Sequence, residues 1–307
     1  MQGLKPAADW IGFIGTTKVV PLLQNLRSGH IGEFFRSLFS PGGMFLGIFE
    51  RKHYSFRKLL SKGSHRGSKP MPEKISIGPD DRVFVLTGAG ISAESGLPTF
   101  RASDGLWAGH RIEDVCTPEA WERNPALVWE FYSQRRAQGA QAQPNPAHLA
   151  LAELEQRLGD RFFLCTQNVD DLHERAGSVR LLHMHGELAK SRCGDECGTA
   201  PVEDRTVYKS LSEVGRCTCG ACMRPHIVFF GEIPLEMGRI EKEIAMATLM
   251  IVVGTSGSVY PAANFVHWAR QHGARTVYIG PEPPLNASAF THVVEGNAGV
   301  VLPGLFS

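Results

Sequence analysis

Six short apolar runs constrain the fold of this 307-residue chain more than any other feature of its sequence. They end in or beside Gly, Thr or Asn, and this pattern is typical of parallel strands covered by helices on both faces. The runs are RVFVLTG from Arg82, RFFLCTQ from Arg161, VRLLHMHG from Val179, HIVFFGE from His226, LMIVVGT from Leu249 and RTVYIG from Arg275.

Helical periodicity fills the gaps between these runs. One helix is predicted from Ala147 to Leu158, a second includes Met237 and Ile244, and a third is opened by Pro261 and closed by Gly273. The alternation predicts an α/β fold with a doubly wound parallel, Rossmann-like sheet. Two regions interrupt it: 103–143, which looks helical, and 190–224, which is rich in Cys and Gly. We expect these insertions to form a smaller helical and zinc-binding lobe.

The charge distribution separates residues 1–75 from the domain expected at 76–307. Residues 1–75 carry 12 Lys and Arg against 4 Asp and Glu, whereas the rest carries 20 against 27. The net charge of +1 argues against a general polyanion binder, so no nucleic-acid partner is predicted. Charges interrupt the apolar stretches of 1–75 well short of the ~20 residues of a membrane span. We expect a flexible basic extension and linker on a cytoplasmic protein, with a basic membrane-surface or nucleic-acid contact as the alternative.

The motif GAGISA at 88–93 directly follows the first predicted strand. Glycines there would let backbone N–H groups approach a pyrophosphate, although a tight turn without a ligand has the same pattern. A dehydrogenase should continue with a helix, a second strand and an acidic residue about 20 positions on. Here Gly96, Pro98 and Gly105 break any long helix, which predicts a loop over the cofactor instead.

Several motifs together resemble the sirtuin family of NAD-dependent protein lysine deacylases, and within it the bacterial CobB type. They are GAGISAESGLPTFR, TQNVDDLHERAG, HMHGEL, RPHIVFFGE and VGTSGSVYPAA, and the similarity extends from about Arg82 to Leu302. The resemblance implies that NAD is consumed as a co-substrate, acylated lysines of proteins are the partners, and the products are nicotinamide, free lysine and O-acyl-ADP-ribose. Mono-ADP-ribosyl transfer is the enzymatic alternative, and an NAD-binding module without catalysis is another.

The resemblance also implies a set of NAD contacts. In TQNVDDLH, Gln167, Asn168 and Asp170 follow a predicted strand, where the residues alone favour a helix-capping turn. The family assigns them to the nicotinamide ribose and carboxamide, and assigns the covering loop to Phe100 and Arg101. The full predicted set is Gly88, Ala89, Gly90, Ile91, Ser92, Glu94, Ser95, Pro98, Thr99, Phe100, Arg101, Trp107, Gln167, Asn168, Val169, Asp170, Gly254, Thr255, Ser256, Gly280 and Ala298.

Two histidines are candidates for the general base. His183 and His185 lie two residues apart at the end of a predicted strand, so both project to one side and spacing does not choose between them. A hydrogen-bonded core histidine is the alternative reading for either. The resemblance selects His185, which would accept a proton from a ribose hydroxyl.

Tyr132 and Arg135 share one face of a predicted helix and together could bind a carboxylate. From the residues alone a solvated helix flank is the better reading. The resemblance instead implies the acyl-carboxylate pair of class III sirtuins, which act on succinyl and malonyl groups, with acetyl-lysine retained as a substrate. A peptide is expected to pair with the segment that includes Val228, Phe230, Gly231 and Glu232.

Five of the seven cysteines are concentrated between 193 and 222. Four thiolates would hold a structural zinc ion, and the resemblance names Cys193, Cys197, Cys217 and Cys219. Cys222 stays open as a replacement for Cys217, because Cys219 and Cys222 form the more generic CxxC pair. Cys116 and Cys165 are interpreted as small buried hydrophobic residues.

Overall fold

The structure is a computed structural model and describes residues 74–99 and 106–306. The extension expected at 1–75 lies outside the described residues except for its last two, and so do Phe100 and Arg101. Ile75, which the sequence analysis placed in the linker, is 9% exposed, and its N–H donates to the Leu305 carbonyl at 2.8 Å. The folded domain thus includes Ile75.

Strands and helices alternate as the apolar runs predict. Within the described residues the strands are β1 (Val83–Thr87), β2 (Leu106–Trp107), β3 (His110–Arg111), β4 (Phe162–Thr166), β5 (Leu181–His183), β6 (Gly186–Cys193), β7 (Val202–Glu203), β8 (Met223–Ile227), β9 (Leu249–Val253), β10 (Arg275–Gly280) and β11 (His292–Glu295). The helices are α1 (Ile112–Val115), α2 (Pro118–Arg123), α3 (Pro125–Gln141), α4 (Pro146–Leu158), α5 (Leu172–Arg175), α6 (Met237–Met246), α7 (Phe265–Gln271) and α8 (Ala298–Val301).

The main sheet has the order β11-β10-β9-β1-β4-β5, and every neighbouring pair is parallel. Starting from β1, the chain adds β4 and β5 on one side and then β9, β10 and β11 on the other. This order confirms the doubly wound, Rossmann-like prediction. In open sheets of this kind the ligand crevice lies outside the carboxyl ends of the strands where the order reverses, here beside β1.

Helices cover both faces of this sheet. Every residue of β1, β4 and β9 is buried, which explains why these strands are apolar without alternation. One face packs on α4 and α8 through Val85, Leu164 and Leu151, and the other packs on α6 and α7 through Phe84, Ile240 and Phe265. Of the helices in the described part of the chain, none is long and apolar enough to cross a bilayer.

The smaller lobe combines α1–α3 with an antiparallel sheet of order β7-β6-β8. The prediction that the run from His226 forms a parallel strand of the main sheet is wrong, because its strand β8 pairs antiparallel with β6. Its apolar residues Ile227 and Phe229 fill a separate core with Phe131 of α3. The main sheet instead ends in β11, which the sequence analysis missed because this edge strand is largely exposed.

Candidate active site

The glycine motif forms the turn that follows β1. Instead of an α-helix, two short 3-10 turns follow Gly88, at Ala89–Ile91 and Ala93–Ser95. The Gly90 N–H donates to the Gly254 carbonyl at 2.8 Å, and a Cβ at Gly90 would lie 2.7 Å from that oxygen. The loops after β1 and β9 are thus in backbone contact at the reversal of the sheet, and both glycines are required by that contact.

Three predicted NAD contacts meet beside this turn. The Ser92 hydroxyl donates to Asp170 Oδ2 and accepts from Asn168 Nδ2, both at 3.1 Å. The second carboxylate oxygen of Asp170 accepts the Leu172 N–H at 3.2 Å. Because burial dominates, the pKa of Asp170 is raised above its ordinary value. The cluster joins the ends of β1 and β4 and can present an amide and a carboxyl group to a polar ligand.

Other predicted contacts also follow strand ends. Glu94 accepts the Gly299 N–H at 3.0 Å, which brings it to the start of α8 beside the buried Ala298. The Thr255 carbonyl accepts the Tyr278 hydroxyl at 3.2 Å. The rest of this group lies after β1 (Ala89, Ser95, Pro98, Thr99), after β4 (Gln167, Val169), after β9 (Ser256) and at the last residue of β10 (Gly280).

Asn145 is a site residue that the sequence analysis missed. It caps α4 by accepting the Ala147 N–H at 2.9 Å, while its Nδ2 donates to the Ile91 carbonyl at 2.7 Å and to Ser95 Oγ at 3.0 Å. The Asn-Pro pair at 145–146 is a helix-start signal that could have identified the cap. Its second role, holding the glycine turn from a helix more than 50 residues away in sequence, has no local signal.

A buried pair of histidines supports the same strand ends. His148 and His173 are both fully buried, with ring centroids 4.8 Å apart. His173 Nε2 lies 3.0 Å from the Thr87 hydroxyl, which donates to Thr166 Oγ1, and this oxygen also accepts the Asn168 N–H. Burial lowers both pKa values, that of His148 to about 4, so both rings are neutral near pH 7.

His185 has the arrangement of a base. Its Nδ1 lies 3.0 Å from the Gln167 carbonyl, which can only accept, so Nδ1 carries the proton and Nε2 keeps its lone pair. Nε2 makes no hydrogen bond to the described residues. Burial lowers the pKa of His185 to about 4, and the ring is therefore neutral at physiological pH and can accept a proton.

His183 has no free lone pair to offer. Its Nδ1 lies 2.8 Å from the Asn168 carbonyl and its Nε2 lies 2.7 Å from Glu174 Oε1. Burial acts to lower its pKa, but the hydrogen bond and charge of Glu174 outweigh burial and leave the pKa raised. Two acceptors favour the doubly protonated ring, so the geometry favours His185 where the spacing left both histidines open.

The two acyl-site candidates lie on one buried face of α3. Tyr132 is fully buried and Arg135 is 7% exposed. Nε and Nη1 of Arg135 are buried without a hydrogen-bond partner among the described residues, and its guanidinium lies 4.6 Å from the Phe131 ring centroid. Burial lowers the pKa of Arg135 and raises that of Tyr132, so the face carries a neutral phenol beside a guanidinium. Trp107, predicted to contact NAD, packs at this face, with its ring centroid 6.1 Å from that of Tyr132.

The segment predicted to bind a peptide is hydrogen-bonded to the backbone of His185 and to that of Cys116. The Val228 N–H donates to the His185 carbonyl and the Phe230 N–H to the Cys116 carbonyl, both at 2.9 Å. Phe230 is 39% exposed. The carboxylate of Glu232 accepts hydrogen bonds from the guanidinium groups of Arg192 and Arg224 and from the Phe229 backbone N–H. Glu232 therefore braces the segment from inside.

The cysteine cluster fits tetrahedral zinc. The thiols of Cys193, Cys197, Cys217 and Cys219 all lie within 4.8 Å of one another, with 3.5 Å for the pairs 193–219 and 197–217. Zn–S bonds of about 2.3 Å imply sulfur separations of roughly 3.8 Å, so small adjustments admit the ion. Cys222 lies outside the cluster, with its sulfur 3.5 Å from the Met223 carbonyl. The family set is thus favoured over the generic CxxC pair.

Comparison with known proteins gives concordant matches. The sequence profile of the Sir2 family matches residues 88–261. The chain is 48% identical to an NAD-dependent protein deacylase of Escherichia coli over 87% of this chain and 94% of that protein. It is 51% identical to one of Vibrio cholerae over 74% of this chain and 92% of that protein.

Solved structures give the same result. A Sir2 homologue in complex with NAD superposes with a TM-score of 0.67 at 40% identity, covering 73% of this chain and 88% of that chain. A Sir2 structure with a p53 peptide and NAD+ superposes with a TM-score of 0.62 at 30% identity, covering 72% and 90%.

Proposed function

The chain belongs to the Sir2 family and is an NAD-dependent protein deacylase, and from this premise we propose that it removes succinyl and malonyl groups, and acetyl groups as well, from protein lysines. The observation that carries the acyl preference is the buried guanidinium of Arg135 with two donors unpartnered beside the Tyr132 phenol. A buried unpaired donor is costly, and the carboxylate of an acidic acyl group would satisfy it.

The catalytic step is assigned to His185. NAD would supply the reactive bond between nicotinamide and ribose, and with one water consumed the products are nicotinamide, free lysine and O-acyl-ADP-ribose. Nε2 of the neutral His185 ring accepts a proton from a ribose hydroxyl, and the Gln167 carbonyl fixes the tautomer that makes this possible. The raised pKa and the Glu174 ion pair keep His183 out of this role.

The crevice at the reversal of the sheet fits NAD. Gly90 and Gly254 keep the loops after β1 and β9 free of side chains where they meet, which leaves backbone groups for the phosphates. The Ser92–Asn168–Asp170 cluster is assigned to the nicotinamide ribose and carboxamide, because it offers an amide and a carboxyl group held in fixed positions. The zinc ion fits the four thiols of the smaller lobe and has a structural role.

Acylated lysines of proteins are the proposed partners. An extended peptide is assigned to the segment 228–232, whose backbone is tied to His185 on one side and to Cys116 on the other. In this proposal the modified lysine lies between His185 and the face of α3 that carries Tyr132 and Arg135. The cytoplasmic location and the lack of a nucleic-acid partner stay predictions from the sequence.

The test is a comparison of matched peptides that carry succinyl-, malonyl- or acetyl-lysine at one position. Arg135→Met is expected to lower kcat/KM for the succinyl peptide by roughly 10- to 100-fold, the effect of one hydrogen bond to a charged group. The acetyl peptide has no carboxylate, so deacetylation should fall much less. Equal loss with both peptides would contradict the assignment.

Product analysis separates the alternatives. Mass spectrometry is expected to find O-acyl-ADP-ribose in solution and an unmodified lysine on the peptide. ADP-ribose attached to protein would indicate transfer in place of deacylation, and NAD binding without nicotinamide release would indicate a binding module.

A further inference from the structure

Cys116 makes two hydrogen bonds that neither the proposed reaction nor the zinc site accounts for. The residue is 3% exposed, and its thiol accepts the Tyr132 hydroxyl at 3.1 Å. Its backbone carbonyl accepts the Phe230 N–H at 2.9 Å, so the same residue also holds the peptide-binding segment. The sequence analysis treated Cys116 as a small buried hydrophobic residue, which leaves both hydrogen bonds unexplained.

Sulfur is a weak acceptor, and this makes the contact informative. Burial raises the pKa of Cys116 to about 11 and that of Tyr132 well above its ordinary value, so thiol and phenol are both neutral near pH 7. A neutral phenol in a fully buried position needs an acceptor, and within the described residues the thiol is the partner it has. A carboxylate would be a much better one.

Arg135 supplies an independent indication of a ligand at this face. Its Nε and Nη1 are buried and unpartnered while the phenol one helical turn away is satisfied by sulfur. An acidic acyl group would pair with the guanidinium and draw the hydroxyl from the thiol. With a neutral acyl group there is no such acceptor, and the phenol would stay on the thiol.

We propose that Cys116 is a positioning residue for acyl selection: its thiol holds the Tyr132 hydroxyl when the acyl group is neutral and gives it up to an acyl carboxylate. The inference rests on the proposed function and deepens it. Cys116 lets one pocket accept both acetyl- and succinyl-lysine, because the buried phenol has a partner in either complex. The residue acts through Tyr132 and not on the reacting atoms.

The two smallest changes at this position have opposite expected effects. Cys116→Ala leaves the phenol without an acceptor in the acetyl complex only, so the ratio of kcat/KM for succinyl over acetyl peptides should rise ~2- to 10-fold. Cys116→Ser provides a stronger acceptor that competes better with the carboxylate, so the ratio should fall by a similar factor. Cys165→Ala removes another fully buried thiol, far from this contact in the main-sheet core, and should leave the ratio unchanged.

A double-mutant cycle tests whether the effect passes through the phenol. In a Tyr132→Phe background, both Cys116 substitutions should change the succinyl-to-acetyl ratio less than 2-fold. Shifts of the same sign in both single variants, shifts that persist without the hydroxyl, or no shift at all would overturn the proposal. Since Arg135→Met tests the acyl assignment separately, a normal Arg135 effect with no Cys116 effect would reject this inference alone.

Discussion

The crevice beside β1 and the buried face of α3 satisfy their polar groups in different ways. In the crevice the Ser92 hydroxyl is hydrogen-bonded to both Asn168 and Asp170, and His185 is held by a backbone carbonyl. On α3, Arg135 keeps two buried donors unpartnered and Tyr132 relies on a thiol. The polar groups of the crevice are therefore already paired, whereas the α3 face keeps buried donors that the proposed acyl carboxylate would satisfy. Changes in the crevice should affect every substrate alike, and changes on α3 should affect one acyl group more than another.

The largest effect expected is that of His185→Asn. Removing the base should lower kcat by ~10²- to 10⁴-fold with succinyl and acetyl peptides alike, because the proton is taken from the ribose and not from the acyl group. Nicotinamide release and peptide deacylation, measured separately, check this. His183→Gln, which breaks the ion pair with Glu174, is the matched control and should lose much less. A strong dependence on the acyl group would break the distinction between the two regions.

A second prediction concerns the histidine pair behind the crevice. The pKa of His148 is lowered to about 4 in the folded protein from about 6.5 when unfolded, so the unfolded state binds the extra proton first as the pH falls. The stability that this neutral ring contributes is complete above pH 6.5 and is lost progressively towards pH 4. Between pH 7 and pH 5 the loss should be about 2 kcal/mol for this group.

Urea unfolding at pH 7 and pH 5 measures this loss. His148→Gln can still accept the Asn145 N–H but does not titrate, so its stability should fall by about 2 kcal/mol less than that of the wild type over the same interval. His292→Gln, at an exposed position, should behave as the wild type. If His148→Gln and the wild type lost the same unfolding free energy between pH 7 and pH 5, protonation of His148 would not contribute to the acid sensitivity of the fold.

Sequence patterns predicted most of the main sheet, because fully buried parallel strands such as β1, β4 and β9 are continuous apolar runs. They failed for the run from His226, since an apolar run does not reveal which sheet it joins. The spacing of His183 and His185 placed them together but did not choose between them, and only the family resemblance selected His185. The structural difference depends on a carbonyl after β4 and a carboxylate on α5, which spacing does not reveal. Asn145 was missed and Cys116 was interpreted only as a buried hydrophobic residue, because their partners Ile91 and Tyr132 lie on other elements, 54 and 16 residues away in sequence.

Tyr132→Phe gives the smallest effect and the sharpest test of the α3 face. The phenol would gain a hydrogen bond to the acyl carboxylate but lose the one to Cys116, so the net preference that it contributes should be only ~2- to 10-fold. The succinyl-to-acetyl ratio of kcat/KM should fall by that factor, less than with Arg135→Met, and the Phe ring retains the packing against Trp107 and Phe229. Tyr208→Phe, which removes a hydroxyl bonded to Asp204 in the smaller lobe, is the matched control and should leave the ratio unchanged. If Tyr132→Phe lowered both activities equally, α3 would be supporting catalysis like the crevice and the two regions would not differ as described.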